Sequence, residues 1–141
     1  MFSLIEIVVV ILIISLTAGV VAAVLKPMSP KMAIKSTATE LQKIFSAVRS
    51  KALTSGKNSI IKFSPANKTF YYFKKKLQLH DSIKTDAENI LENSNELIWT
   101  FFPDGAGTGP EINLKSGSFT RKLNISALTG NISFIKNQEE L

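Results

Sequence analysis

The chain opens with a continuous apolar segment, residues 2–25, that contains a single ionisable side chain, Glu6. As a helix rising 1.5 Å per residue, this segment is about 36 Å long, whereas the hydrocarbon core of a bilayer is about 30 Å thick. A carboxylate in hydrocarbon costs upward of about 2.5 kcal/mol, so its presence calls for a partner. The sequence therefore predicts a transmembrane helix in which Glu6 has a function.

Three other interpretations of this segment compete with that prediction. A secretory signal would carry basic residues before a shorter apolar core, and this segment has neither feature. A soluble helix that is apolar on every face needs a larger surrounding protein than the remaining residues provide. A plain single-span anchor with Glu6 near the headgroups stays open, because a charge costs less at the end of a span than at its centre.

The start of the segment carries a specific motif. Phe2-Ser3-Leu4-Ile5-Glu6, directly before a long aliphatic run, resembles the mature N-terminus of type IV pilins and of the pseudopilins of type II secretion. The resemblance implies that a prepilin peptidase removes a basic leader before Phe2 and that the new amine is N-methylated. That family has glycine before the cleavage site, so we expect Met1 to stand in place of a trimmed or replaced leader.

The same resemblance implies that Glu6 acts in filament assembly. When a subunit leaves the bilayer for a helical filament, Glu6 would meet the positive amine of a neighbouring Phe2. Two charges that are costly in lipid then offset each other. Because such a pair can form at only one axial offset, it sets the register of the filament more than its stability.

After this segment the sequence predicts a break and then a second helix. Pro27 and Pro30 each remove a backbone donor and disfavour α conformation in the preceding residue, so we expect a helix kink or a short unwound stretch. A helical stripe of apolar residues follows and ends at Gly56, a typical C-terminal stop. Its members are Ile34, Ala38, Leu41, Phe45, Val48 and Ala52.

The pattern divides the chain into a membrane or filament-core helix (1–25), an amphipathic continuation (26–56) and a β-rich globular domain (57–141). Turn residues separate the strands, and 80–95 is assigned to a loop or short helix. The fold class is therefore predicted to be α+β, a long N-terminal helix packed on small antiparallel sheets. The β-branched and aromatic runs predict strands at 58–63, 69–75, 96–102, 112–115, 119–126 and 131–135.

A second resemblance lies in the last forty residues. Phe102-Pro103-Asp104-Gly105, a Gly-Thr-Gly at 107–109, a strand and then Leu128-Thr129-Gly130-Asn131-Ile132 are similar to the C-terminal pattern of the GspH/FimT family of minor pilins and pseudopilins. This resemblance implies a pilin-like fold, a single-pass protein of the bacterial inner membrane and a periplasmic globular domain. It implies a minor pseudopilin at or near the tip of a type II secretion pseudopilus. Its partners would be minor and major pseudopilins, secreted substrate and the outer-membrane channel.

The residues favour a structural role over catalysis. With one histidine and no cysteine, the chain cannot form a pair of histidine metal ligands or a thiolate metal site of its own. The glycines of 105–109 lack the Lys-Ser/Thr and the helix that a phosphate-binding loop needs. We therefore expect no enzyme activity, no cofactor and no metal. Calcium binding by the acidic residues of 81–96 stays open, although their spacing differs from that of an EF-hand.

A basic and aromatic patch supports an alternative function. Lys74, Lys75 and Lys76 follow Tyr71 and Tyr72, in a chain with 17 basic and 11 acidic residues. Stacking and phosphate attraction at such a patch bind single-stranded nucleic acid; in the competing interpretation, the lysines protect an exposed sheet edge.

Some FimT-like minor pilins bind DNA for uptake, and the resemblance then implies a Gly-Arg-x-Arg motif near the C-terminus. The corresponding stretch 129–133 has no arginine. A FimT/FimU-like minor pilin of a type IV pilus, with DNA binding for uptake, is therefore the alternative, and lysines that protect a sheet edge are favoured over a nucleic-acid or partner-binding patch.

Overall fold

The computed structural model describes residues 1–24, 27–86 and 95–136, which form two helices and nine strands. The fold class is α+β, in agreement with the sequence. The helices are α1 (Leu4–Val24) and α2 (Pro30–Ser55). The strands are β1 (Ser59–Ser64), β2 (Thr69–Tyr72), β3 (Lys75–Gln78), β4 (Lys84–Asp86), β5 (Leu97–Phe101), β6 (Gly107–Thr108), β7 (Ile112–Ser116), β8 (Phe119–Ile125) and β9 (Ile132–Lys136).

Helix α1 is apolar around its whole circumference. None of residues 4–21 is buried, and this stretch is long and apolar enough to cross a membrane. A helix without a polar face has no preferred side for packing on a small domain. The protein therefore has one N-terminal helix whose apolar surface its own described residues leave uncovered.

Helix α2 begins and ends with specific capping residues. The Ser29 hydroxyl oxygen accepts a hydrogen bond from the Met32 amide at 3.4 Å, and Pro30 is the first helical residue. Proline suits this position because its missing N–H would have no partner inside the helix. Gly56 ends the helix with a φ of 65°, and its amide donates to the Ala52 carbonyl.

The buried face of α2 is wider than the predicted apolar stripe. Ala38 is only half-buried, whereas Ala33, Thr37 and Ile44 are buried although the stripe omits them. The reason is that α2 packs on two sheets, contacting β1 and β5 of one and β7, β8 and β9 of the other. Two packing surfaces require a wider arc of small and apolar side chains than one.

The strands described here form two antiparallel sheets. The five-stranded sheet has the order β3-β2-β1-β5-β6, and the four-stranded sheet has the order β4-β7-β8-β9. Burial alternates along β5, where Leu97, Trp99 and Phe101 face the core and Ile98 is exposed. This alternation is typical of an antiparallel sheet with one face on the core.

The prediction of one strand over 69–75 is wrong. The chain turns at Phe73 and Lys74, and β3 returns along β2 with Tyr72 opposite Lys75 and Tyr71 opposite Lys76. The aromatic run masks this turn, because it contains none of the residues that usually mark one. The return strand places Leu77 against the hydrophobic core, which the single-strand prediction leaves unexplained.

Two short strands lie in segments for which the sequence predicts no strand, 80–95 being assigned to a loop or short helix and 103–110 to turns. Strand β4 falls within 80–95 and pairs with β7, and β6 falls within the glycine-rich segment 103–110 and pairs with β5. Elements of two or three residues are too short to produce a periodic pattern. The remaining part of the segment predicted as a loop or short helix, 87–94, lies outside the described residues.

The core is centred on Phe45 of α2. Its ring packs edge-on against Phe70, Trp99 and Phe101, at centroid distances of 6.4, 5.5 and 5.9 Å. Edge-to-face contact suits the ring quadrupoles and adds about 0.5–1.5 kcal/mol per pair to the burial energy. No described residue of α1 belongs to this core.

Candidate functional site

Glu6 lies in the first turn of α1, where Ser3 caps the helix. The Glu6 amide donates hydrogen bonds to the Ser3 carbonyl at 3.0 Å and to the Ser3 hydroxyl oxygen at 3.4 Å. Ser-x-x-Glu is the spacing of a capping box, and a carboxylate at a helix N-terminus is favoured by the helix dipole. The Glu6 carboxylate therefore also lies where the helix dipole favours a negative charge, a placement that the Ser-x-x-Glu spacing could have indicated.

The surroundings of Glu6 are otherwise apolar. Phe2, which precedes the helix together with Met1, lines a shallow groove with Glu6, Val10 and Ile11. Phe2 and Met1 are both exposed. The start of α1 therefore presents one carboxylate within an uncovered apolar surface.

The two prolines lie at different places relative to the helices. Pro27 lies in the non-helical stretch 27–29, whereas Pro30 is the first residue of α2. Pro30 therefore starts a helix and leaves the interior of α2 free of proline.

The structure divides the aromatic and basic patch among several positions. Tyr71 is exposed, while Tyr72 is partly buried and packs against the core. Lys74 is in the turn, and Lys75 and Lys76 lie on β3. Because β3 is an edge strand, the arrangement agrees with lysines that protect an exposed edge.

Pairing across the five-stranded sheet brings other residues beside Tyr71. Lys62 of β1 lies directly opposite Tyr71, which in turn lies opposite Lys76, and on its other side Lys62 faces Ile98. Directly paired residues point to the same side of a sheet. We call this surface the outer sheet face; it consists of Ile60, Lys62, Tyr71, Lys76 and Ile98.

The outer sheet face is part apolar and part basic. Ile60 and Ile98 are each 45% exposed, and Lys62 approaches Glu96 at 3.6 Å. Sequence reasoning identified Tyr71 and Lys76 but missed the other three members, which are distant along the chain. The outer sheet face therefore combines two half-exposed isoleucines with basic and aromatic side chains.

The turn next to this face is strained. Phe73 has a φ of 51°, a left-handed conformation that costs a residue with a side chain about 1–2 kcal/mol. Its ring is 54% exposed and contacts Tyr72 at a centroid distance of 6.1 Å. An aromatic side chain kept at a strained and exposed turn favours a role in binding.

The acidic residues considered for calcium are not gathered in the part of the chain that the structure describes. Asp86 pairs with Lys115 at 3.6 Å, while Glu96 pairs with Lys62 of the other sheet. Residues 1–24, 27–86 and 95–136 contain no group of three or more potential metal ligands. Glu88 and Glu92 lie outside the described residues.

The glycine-rich segment 105–109 packs closely against α2 and β5. A Cβ at Gly109 would collide with the Trp99 ring, whose Nε1 donates a 2.9 Å hydrogen bond to the Pro110 carbonyl. The Gly105 carbonyl accepts a hydrogen bond from the Arg49 guanidinium at 3.1 Å. These glycines therefore permit close approach of α2 and β5 to the loop.

Comparison of the chain with family models, curated proteins and solved structures gives no match. What the geometry defines is an α+β protein with an uncovered apolar helix at one end and a mixed apolar and basic sheet face.

Proposed function

We propose that this chain is a minor pseudopilin of a type II secretion system, a structural subunit located at or near the tip of the pseudopilus. The observation that carries the proposal is α1, a 21-residue helix with no buried residue over 4–21 and with Glu6 as its one ionisable side chain. Uncovered apolar surface of this extent needs lipid or other subunits around it. A pilin-like subunit uses both environments in succession.

The charge of Glu6 favours movement of the subunit from the bilayer into the filament. In lipid its charge is costly, whereas in a filament the amine of a neighbouring processed Phe2 would neutralise it. The capping hydrogen bonds at Ser3 use the backbone amide of Glu6 and leave the intermolecular pair open to its carboxylate. Assembly therefore becomes favourable relative to two separate charges in the bilayer.

The globular domain supplies the contacts that distinguish one subunit from another. The outer sheet face and the neighbouring Phe73 offer exposed apolar and basic groups to other pseudopilins, secreted substrate or the outer-membrane channel. Processing by a prepilin peptidase and N-methylation of Phe2 belong to the same proposal, as do the inner-membrane location and the periplasmic domain.

The decisive experiment compares two substitutions in α1 of the full chain, produced together with its filament partners. Glu6→Ala should leave the protein in the membrane fraction and reduce its recovery in sheared filaments at least about tenfold, the loss expected when one buried partner is removed. Ser15→Ala is the control, since that hydroxyl is satisfied within the helix by the Ile11 carbonyl at 2.8 Å. Normal recovery of the Glu6 variant would contradict the proposal.

One observation favours the alternative, a DNA-binding minor pilin of a type IV pilus. Tyr71 lies between Lys62 and Lys76, which combines a stacking surface with two phosphate-binding groups. The test is binding of an oligothymidylate to the full chain in nanodiscs at several salt concentrations. Steeply salt-dependent binding, lost on neutralising Lys74, Lys75 and Lys76 but kept on neutralising Lys43, Lys51 and Lys57, would favour this alternative.

A further inference from the structure

The first two turns of α2 carry an unusual combination of side chains on the side away from the core. Lys31, Met32 and Lys35 are exposed, Met32 to 63%, and Met28 just before the helix is 51% exposed. The buried residues Ala33, Ile34 and Thr37 occupy the opposite side. We call Met28, Lys31, Met32 and Lys35 the basic methionine face.

Neither core packing nor helix stability explains this face. Its residues are exposed, and Lys31 lies in the first turn, where the helix dipole disfavours a cation. The first turn contains no acidic residue to compensate, and the first carboxylate of α2 is Glu40. A residue that breaks a local structural preference, as Lys31 does at a helix N-terminus, is expected mainly at functional positions.

The basic methionine face lies close in the chain to the end of α1. Five residues, 25–29, separate the end of α1 from Pro30, so the Cα atoms of Val24 and Pro30 are at most about 22 Å apart. If α1 spans the bilayer, the start of α2 is therefore held at the membrane surface. Lysines held there are attracted to anionic headgroups, and this attraction falls off over a Debye length of about 8 Å.

We propose that the basic methionine face lies on the headgroup layer of the membrane that α1 spans and binds anionic lipid there. The inference rests on the membrane span that is part of the proposed function. The ammonium groups of Lys31 and Lys35 contact lipid phosphates, while Met28 and Met32 cover the apolar boundary beneath them. The membrane-bound subunit is thereby held with the start of α2 against the bilayer.

Site-directed spin labelling tests this arrangement, because the chain has no cysteine of its own. A nitroxide on Ser36→Cys reports the basic methionine face, and one on Ser50→Cys reports the same side of α2 about 21 Å further along. A third, on Leu12→Cys, reports the span itself. The full chain is placed in nanodiscs of phosphatidylcholine, with or without phosphatidylglycerol, and collisions with oxygen and with a water-soluble nickel chelate are measured.

We expect phosphatidylglycerol to lower the nickel collision rate at position 36 at least about twofold and to leave position 50 unchanged. Lys31→Gln combined with Lys35→Gln should abolish this protection, whereas Lys75→Gln combined with Lys76→Gln should preserve it. A label at position 36 that is indifferent to phosphatidylglycerol, while position 12 reports lipid, overturns the inference alone. A label at position 12 that reports water overturns the membrane span as well.

Discussion

The guanidinium Nε of Arg49 donates a 3.1 Å hydrogen bond to the carbonyl oxygen of Gly105, which connects the last third of α2 to the loop between β5 and β6. Gly130, just before β9, lies against both groups. A Cβ there would collide with the Gly105 carbonyl and would come within 3.1 Å of the Arg49 Nε. Three segments that are distant in sequence therefore pack at one point.

Gly130→Ala should destabilise the domain by about 2–4 kcal/mol, because it adds a steric collision to an unfavourable backbone conformation at φ 64°. Gly56→Ala is the matched control. Its φ of 65° is nearly identical, but nothing lies within 4 Å of the added Cβ, so only the conformational cost of about 1–2 kcal/mol applies. Urea unfolding in detergent micelles, followed by fluorescence, measures both. Equal losses would contradict this account of Gly130.

Gly109→Ala should displace the Trp99 ring and break its 2.9 Å hydrogen bond to the Pro110 carbonyl. The unbonded indole N–H and the disturbed packing together predict a loss of about 2–4 kcal/mol. Because Trp99 is the single tryptophan, its emission reports this site directly and should shift to the red. Thr108→Ala, an exposed neighbour, is the control and should leave the spectrum unchanged.

Phe73→Gly should give a more stable domain than Phe73→Ala by about 1 kcal/mol, although both remove the ring contact with Tyr72. Alanine keeps the strained φ of 51°, whereas glycine adopts it freely. The two urea midpoints, measured with Trp99 fluorescence, decide the comparison. If the alanine variant is as stable as the glycine variant, the turn is not strained.

The long helices of this fold could be predicted from the sequence because each repeats a pattern over many residues. The apolar run of α1, the stripe from Ile34 to Ala52 and the stop at Gly56 all recur in the structure. The turn at Phe73 could not be predicted, because a bulky aromatic residue rarely adopts the positive φ that this turn requires. Local preferences favoured a longer strand there.

The outer sheet face could be predicted only in part, for a different physical reason. Tyr71 and Lys76 are close in sequence, but Lys62 and Ile98 come together through the pairing of β1 with β5. Strand pairing over such a distance depends on the complete core, which no local pattern encodes. At Glu6, in contrast, the sequence contained the missed information, since Ser3 and Glu6 already have capping-box spacing.

This double role of Glu6 leads to the most selective prediction. Glutamine at the same position keeps a polar side chain at capping-box spacing but removes the charge, so Glu6→Gln should retain the start of α1 and lose filament assembly as completely as Glu6→Ala. Ser3→Ala should weaken the helix start by about 1 kcal/mol and leave assembly largely intact. Circular dichroism in micelles and recovery in sheared filaments measure the two effects separately. Normal assembly of the glutamine variant, with failure of the alanine variant, would assign Glu6 to capping and refute the intermolecular charge pair.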